Sequence, residues 1–464
     1  MSTTTASAHE LRDWLASELP RLIEAHGVPA ASAAVLVGDE IVDAAAGILH
    51  VGTGVEATTD ALFQIGSLTK VWTATLVLQL VDDGLLDLDE PIRTHLPDFA
   101  IADDAAAATI TARHLLSHRA GFEGDVFTDT GRGDDCVERY VASLGDIPQL
   151  FAPGTEFSYS NAGFIVLGRL VEVLRGVHFE QALTERIIQP LGLTHAAPGP
   201  YEAIVHRVAQ GHVPTPDGPV PAPMWALARS NGPAGSSLAM RPADLLAFAR
   251  MHVAGGVAAD GTRLLSEASV AAMQDVQGVI PDIGIMGDAW GLGWDLTETP
   301  HGRMVSHDGG TFGQSAFLRV IPSAGVAIAL CVNGGDAMGM ARALLGPALE
   351  RLVGADVLKP LPVPQDVDAV VDEATAERFL GTYATSIMET TLSRDEDGRL
   401  WADEVPQGIL AAMGQPASRL RVVPHGAGLV ATEPRAGMHT LYAFTGGEGP
   451  AAFLHAGRAM PRRA

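Results

Sequence analysis

The sequence predicts an α+β fold, an antiparallel sheet with helices packed on it, followed by a small all-β domain. Three observations carry this reading. Strand-like apolar runs stand near both ends of the first 355 residues, with helical patterns between them. The stretch "LKPLPVPQDVD" at 358–368 then breaks the composition, and prolines at alternate positions make it stiff and extended. Beyond it, short apolar runs such as "FLGTYA" and "RLRVVPHGAGLVA" alternate with Gly, Pro and Asp, the pattern of a small barrel. The predicted organisation is a catalytic-sized domain over 1–355, a Pro-rich linker over 356–370 and a β-barrel over 371–464.

Each element follows from its own pattern. Leu11, Leu15, Leu19, Leu22 and Ile23 recur at helical spacing and predict an amphipathic helix ending near Gly27 and Pro29. "ASAAVLVGDEIVDAAAG" predicts a hairpin about Gly38-Asp39. Residues 67–81 read as a buried helix ended by Asp82, Asp83 and Gly84, and further helices are expected around 163–175 and 242–254. "GRMVSHDGGTFGQSAFLRVIPSAGVAIALCVNGG" reads as two strands joined at Pro322-Ser323-Ala324-Gly325. No internal repeat stands out.

Composition excludes several classes of function. A formal charge of −25 repels nucleic acid and anionic membrane, so neither is expected as a partner. No uncharged apolar run reaches the ~18 residues of a spanning helix. The first residues, "MSTTTASAHELRDWL", lack a basic stretch followed by an apolar one, and a cytoplasmic protein is expected. Cys136 and Cys331 stand far apart and suggest buried free thiols rather than a disulfide framework. His114 and His118, four apart, have no third partner for a metal. No metal and no cofactor are expected, and phosphate-loop, dinucleotide and Gly-x-Ser-x-Gly patterns are missing.

The chemistry concentrates in three segments. The first is "QIGSLTKVWTATLVLQL". Lys70 is one of only two lysines in the chain, and it lies three residues after Ser67, on the same helical face. Apolar neighbours would desolvate its amine, lowering its pKa and making it a base for the Ser67 hydroxyl. Ser67 follows Gly66 at a helix start, where backbone N–H groups favour an oxyanion. The bland reading is a helix-capping serine and a chance lysine, but a lysine in an apolar helix is costly without a task. The second segment, "PGTEFSYSNAGF", offers Tyr159 as a proton relay if a cation lowers its pKa, and Asn161 to orient Lys70 and hold a substrate amide. Alone it reads better as a loop with Asn161 capping a helix. The third, "VSHDGGTFGQ", places His307, Gly309 and Gly310 on a strand, where glycines mark a close approach or merely a bulge.

Taken together, Ser67-x-x-Lys70, Tyr159-x-Asn161 and His307-x-Gly309 resemble the motifs of the serine β-lactamase and penicillin-binding protein superfamily, class C branch. "ITARHLLSHRAGF", "PLGLTHAA", "GPAGSSLAMRPADLLAFARMH" and "WGLGWDL" resemble that branch too, over roughly residues 8 to 355. The region after 370 is similar to the lipocalin-like barrel appended to some members. The resemblance implies a β-lactamase/transpeptidase-like fold with Ser67 as the nucleophile forming an acyl-enzyme. It implies Lys70 as base, Tyr159 as relay, Asn161 as amide binder, and the N–H groups of Ser67 and Gly310 as oxyanion donors. Where β-lactamases commonly carry Lys-Thr-Gly, this chain has His307-Asp308-Gly309. Histidine is a weaker, pH-dependent cation and Asp308 adds negative charge, which argues against strong penicillin hydrolysis.

The expected activity is that of a serine hydrolase or acyltransferase on amide, ester or thioester bonds of small peptides, D-residues included. The alternative is a stand-alone penicillin-binding-type thioesterase that cyclises a nonribosomal peptidyl thioester, with a peptide carrier protein as a further partner. A β-lactamase or a non-catalytic binding protein fits less well. At the C-terminus Arg458, Arg462 and Arg463 form either a solvated basic tail or, through Arg458, a site for a substrate carboxylate at the mouth.

Overall fold

The first predicted helix forms over Ala8–Ala25 in the computed structural model, which describes residues 6–412, 414–435 and 437–463. Ser7 and Glu10 start it reciprocally: the Ser7 Oγ accepts from the Glu10 N–H, and the Glu10 carboxylate accepts from the Ser7 N–H at 2.8 Å. Leu11, Leu15, Leu19 and Leu22 are all buried on one stripe, as the spacing predicts. The Gly38 hairpin forms from strands Ala30–Val37 and Glu40–His50, with Gly38 at φ +58° in the left-handed conformation a two-residue turn demands.

The run expected to hold two strands holds three: Gly302–Thr311, Gln314–Ile321 and Val326–Val332. The chain reverses at 322–325 as expected, and also at Phe312-Gly313, where Gly313 has φ +69°. The stretch around that second reversal, 307–315, is polar and rich in glycine, and the sequence reading takes those glycines as a close approach or a bulge on one strand rather than as a turn.

These strands build a nine-stranded antiparallel sheet. Its middle is Glu40–His50, Ala30–Val37, Val326–Val332, Gln314–Ile321 and Gly302–Thr311, in that order, so the two ends of the catalytic part pair directly, with Ala31 opposite Val332. Alternate residues of a strand face opposite sides. Ala31, Ala33 and Val35 accordingly join a core under the helices Ala8–Ala25 and Ala337–Val353. Ala30, Ala34 and Leu36 join the larger core on the other face, which contains the helix Thr69–Asp82.

Residues 354–372 contain neither helix nor strand. Eight short strands then follow from Gly381–Ala384 to Ala459–Pro461, each pairing with the next, and Tyr383 bridges to Arg462 to bring first and last together. Near-closure leaves the sheet little unpaired edge. Leu392, Leu400, Val422, Leu429 and Tyr442 fill its interior. The C-terminal arginines are thus no solvated tail: Arg462 lies over the Tyr383 ring and Arg463 pairs with Glu389. Among the described residues no helix is long and apolar enough to cross a membrane. Cys136 and Cys331 are both buried and free.

Candidate active site

Ser67 sits on a single 3-10 turn, Gly66–Leu68, that feeds the helix Thr69–Asp82. That helix is apolar on nearly every side and buried throughout most of its length, so it is a rigid mount. The turn packs against the strand Gly302–Thr311 backbone to backbone. A Cβ on Gly309 would stand 1.9 Å from the Ile65 carbonyl oxygen, and one on Gly66 2.5 Å from the Gly310 nitrogen. Only glycines let the nucleophile turn and the strand approach this closely.

Lys70 is fully buried and reaches three partners. Its Nζ lies 2.7 Å from Asn161 Oδ1, 2.7 Å from the Ala234 carbonyl oxygen and 3.1 Å from Ser67 Oγ. Burial holds the amine well below the usual lysine range; the Arg458 guanidinium adds to this and Asp125 opposes it. A neutral amine has two protons and one lone pair. The two carbonyl oxygens can only accept, so they take both protons, and the lone pair is left for the Ser67 hydroxyl.

Tyr159 lines the same cleft as Ser67. The cation expected near it is Arg458, whose Cζ lies 4.8 Å from its ring centre, with the Lys70 amine 4.9 Å away. The expected fall in its pKa does not follow. Burial pushes the phenol up, and the Ser67 hydroxyl and Arg458 only partly offset it. Tyr159 is therefore a protonated phenol that gives and takes through its O–H. His118 stacks on it with ring centres 4.2 Å apart, and its Nδ1 accepts from the Ser160 N–H at 2.9 Å. His114 instead takes the Thr111 N–H. The two histidines have separate tasks, and no cluster of three metal-ligating side chains exists among the described residues.

Asn161 begins the helix Asn161–Arg175, but the cap is Ser160, whose Oγ accepts from the Gly163 N–H at 3.0 Å. That frees Asn161 to orient Lys70 through Oδ1, while its Nδ2 donates to Asp125 Oδ1 at 2.9 Å. His307, Gly309 and Gly310 line the cleft. His307 is not the pH-dependent cation expected: burial lowers its pKa to about 3, leaving a neutral ring. Nor is Asp308 a loose negative charge, since Arg319 holds it through two contacts, Nη2 to Oδ2 at 3.0 Å among them.

The barrel completes the site. Arg458 lines the cleft, and its Nε and Nη2 grip the buried Asp125 carboxylate at 2.8 and 3.1 Å. The Tyr159 N–H donates to the Gly457 carbonyl at 3.2 Å, and His455 Nε2 donates to the Phe157 carbonyl at 2.7 Å. Asp125 is the functional residue that sequence reasoning missed. It lies 333 positions from Arg458 and belongs to no motif, so only the docked barrel identifies it. The cleft has a volume of about 490 Å³ and is walled by Trp290, Met304 and Phe317, the linker residues Leu358 and Leu361, and the barrel's Met438.

A buried lysine one turn after a serine at a helix start, opposite a glycine strand, is the arrangement of a serine-hydrolase fold. The family model described as Beta-lactamase matches residues 15–352, and the chain belongs to that family. It is 45% identical over 359 residues to penicillin-binding protein 4 of Amycolatopsis lactamdurans, covering 76% of this chain and 94% of that protein. It is 28% identical to the unguisins hydrolase of Aspergillus campestris, over 72% of this chain and 64% of that protein. The crystal structure of SurE superposes with a TM-score of 0.79 at 31% identity, covering 98% of this chain and all (100%) of that one. D-amino acid amidase from Ochrobactrum anthropi superposes with a TM-score of 0.60 at 25% identity, over 74% of this chain and 97% of that one.

Proposed function

We propose that the protein is a serine hydrolase or acyltransferase that forms an acyl-enzyme on Ser67, using amide, ester or thioester bonds of small peptides. The observation that carries this is the buried Lys70 amine, its Nζ 3.1 Å from Ser67 Oγ while its two other partners are carbonyl oxygens that can only accept. Lys70 takes the Ser67 proton as the oxygen attacks the acyl carbon. Tyr159, protonated and beside Ser67, gives its phenolic proton to the leaving group and is reprotonated by the Lys70 ammonium, so the Ser67 proton ends on the leaving group and both side chains return to their starting states. The N–H groups of Ser67 and Gly310 receive the developing oxyanion. With neutral His307 where β-lactamases commonly carry lysine, the strand offers weak attraction to a carboxylate, which disfavours penicillins. The names of D-amino acid amidase, and of SurE crystallised with D-Leu, support a D-residue beside the reacting carbonyl.

A second reading, cyclisation of a peptidyl thioester, is favoured by one observation. The barrel and the linker form part of the cleft wall, through Leu358, Leu361, Met438 and Arg458. A walled cleft restricts water and leaves the acyl-enzyme to an amine. A short peptidyl thioester with a free N-terminus and a C-terminal D-residue tests both readings by mass spectrometry. Linear acid dependent on Ser67 marks a hydrolase. A product lighter by one water marks a cyclase. Turnover unchanged in Ser67→Ala overturns the acyl-enzyme.

A further inference from the structure

The Arg458–Asp125 pair joins the barrel to the interior of the catalytic part. The Asp125 side chain is 2% exposed, and that of Arg458 30%. Arg458 spends Nε and Nη2 on the two carboxylate oxygens. One of those oxygens also accepts from Asn161 Nδ2, and the other end of the same amide takes a proton of Lys70. A four-residue relay therefore runs from barrel to base: Arg458, Asp125, Asn161, Lys70.

A buried carboxylate needs a cation or a proton. Around Lys70 the facing groups are few. Ser67 lies on its own turn, Tyr159 just before the helix Asn161–Arg175 and Asn161 at its first position, His118 on a turn and His307 on the strand. Both imidazoles are held neutral by burial and Tyr159 is a protonated phenol. The charges acting on Lys70 are those of Asp125 and Arg458, with opposite effects. Remove the arginine, and the cation nearest to hand for Asp125 is a protonated Lys70, which cannot take a proton from Ser67.

We infer that Arg458 is a positioning residue whose ion pair with Asp125 prevents that carboxylate from capturing Lys70 as an ammonium ion, so that the barrel switches the base on. This rests on the reading of Lys70 as the base. The barrel thereby has a task besides shaping the cleft: without it Ser67 and Lys70 remain, but the Asp125 carboxylate that opposes the effect of burial on Lys70 loses its arginine partner.

The test uses the full chain, and the scarcity of lysine makes it direct. Protein labelled with 13C at lysine Cε has two resonances to follow, Lys70 and the half-exposed Lys359 paired with Asp288. In the unaltered protein Lys70 titrates below Lys359. In Arg458→Gln its midpoint rises by about two pH units, and acylation of Ser67 slows up to about a hundredfold on the acid side. Arg458→Lys, which keeps the charge, retains a low midpoint. Asp125→Asn alone and the double variant Arg458→Gln/Asp125→Asn both retain it too. The inference is overturned if Lys70 titrates alike in Arg458→Gln and the parent. A double variant as raised as Arg458→Gln overturns it as well, and so does a rise in Asp125→Asn alone, which needs no change to the barrel. The titration requires no turnover. A protein whose lysine behaves as described while Ser67 accepts no acyl group would refute the proposed function and leave this inference standing.

Discussion

The Nζ of Lys70 stands 3.1 Å from Ser67 Oγ, and the lysine has no solvent-accessible surface. An amine so placed is useful only while neutral. Acylation of Ser67 should therefore rise with pH through a midpoint well below that of a free lysine, then level off. Lys70→Met should slow acylation by about 10²–10⁴-fold, the usual contribution of a positioned base. The same substitution should raise the melting temperature at pH 7. The folded-state pKa of Lys70 is depressed, so the unfolded chain binds the extra proton, and stability is lost as pH falls below the unfolded value of about 10.4. Methionine has no such proton. A lower melting temperature for Lys70→Met would contradict this account of the base.

Asp295 lines the cleft and accepts from the Ser306 hydroxyl. Burial pushes its carboxyl up to about 6, despite the opposing charge of Arg319. The sign is opposite to that of a salt-bridged acid: the folded state holds the proton more tightly than the unfolded chain. Stability is therefore lost as pH rises from about 3.9 towards 6. Asp295→Asn should stabilise the protein at pH 7 to 8 by on the order of 3 kcal/mol, and hardly at all near pH 4. Denaturant melts at the two pH values decide it. Equal effects at both would mean that the carboxylate is better solvated than its burial implies.

Buried histidines, His118 among them, set the behaviour in acid. Burial lowers His252 and His307 to about 3 and His455 to about 4. Each takes up a proton on unfolding at a pH where the folded protein does not. Stability should fall as pH drops from about 6.5 towards 4. His455 can be examined separately, because it donates to the Phe157 carbonyl where the barrel meets the catalytic part. His455→Gln retains a donor and removes the titration, so its melting temperature should depend less on pH between 6.5 and 4.5. An unchanged slope would assign the acid sensitivity to other groups.

Much of this arrangement was legible in the sequence, for reasons that are local. Ser67, Lys70 and the apolar helix lie within one turn-and-helix unit, and Leu11 to Leu22 mark a single stripe. Two kinds of feature were not legible. The reversal at Phe312-Gly313 was missed because Gly309, Gly310 and Gly313 fall close together, and glycines that mark a turn look the same in sequence as glycines that mark a close approach on a strand. Charge states depend on burial that only the assembled fold supplies: His307 reads as a cation in isolation and is neutral under Trp290 and Tyr159. Asp125 was missed because its partners are Asn161, 36 positions on, and Arg458, 333 positions on.

Gly309 and Gly310 are adjacent on the strand, yet they face different surroundings, and this gives a paired test of the site. A Cβ at Gly309 would stand 1.9 Å from the Ile65 carbonyl oxygen and 2.8 Å from the Ser67 nitrogen. Both neighbours are backbone, so neither can swing aside, and the strand would have to move away from the nucleophile turn. At Gly310 the nearest atom is 3.9 Å away, an ordinary contact. Displacement of about 1 Å at a reacting centre costs roughly a hundredfold in rate. Gly309→Ala should therefore slow acylation of Ser67 by about that factor, while Gly310→Ala should keep most of the rate. The strand is internal to the sheet, between Asp295–Thr299 and Gln314–Ile321, so both variants should remain folded. Fluorophosphonate labelling of the two proteins at equal concentration is the measurement. If Gly309→Ala labels at the parental rate, the close packing of strand and turn does not set the geometry at Ser67. If Gly310→Ala is the slower of the two, the Cβ meets the substrate rather than the protein, and the acyl group lies against residue 310.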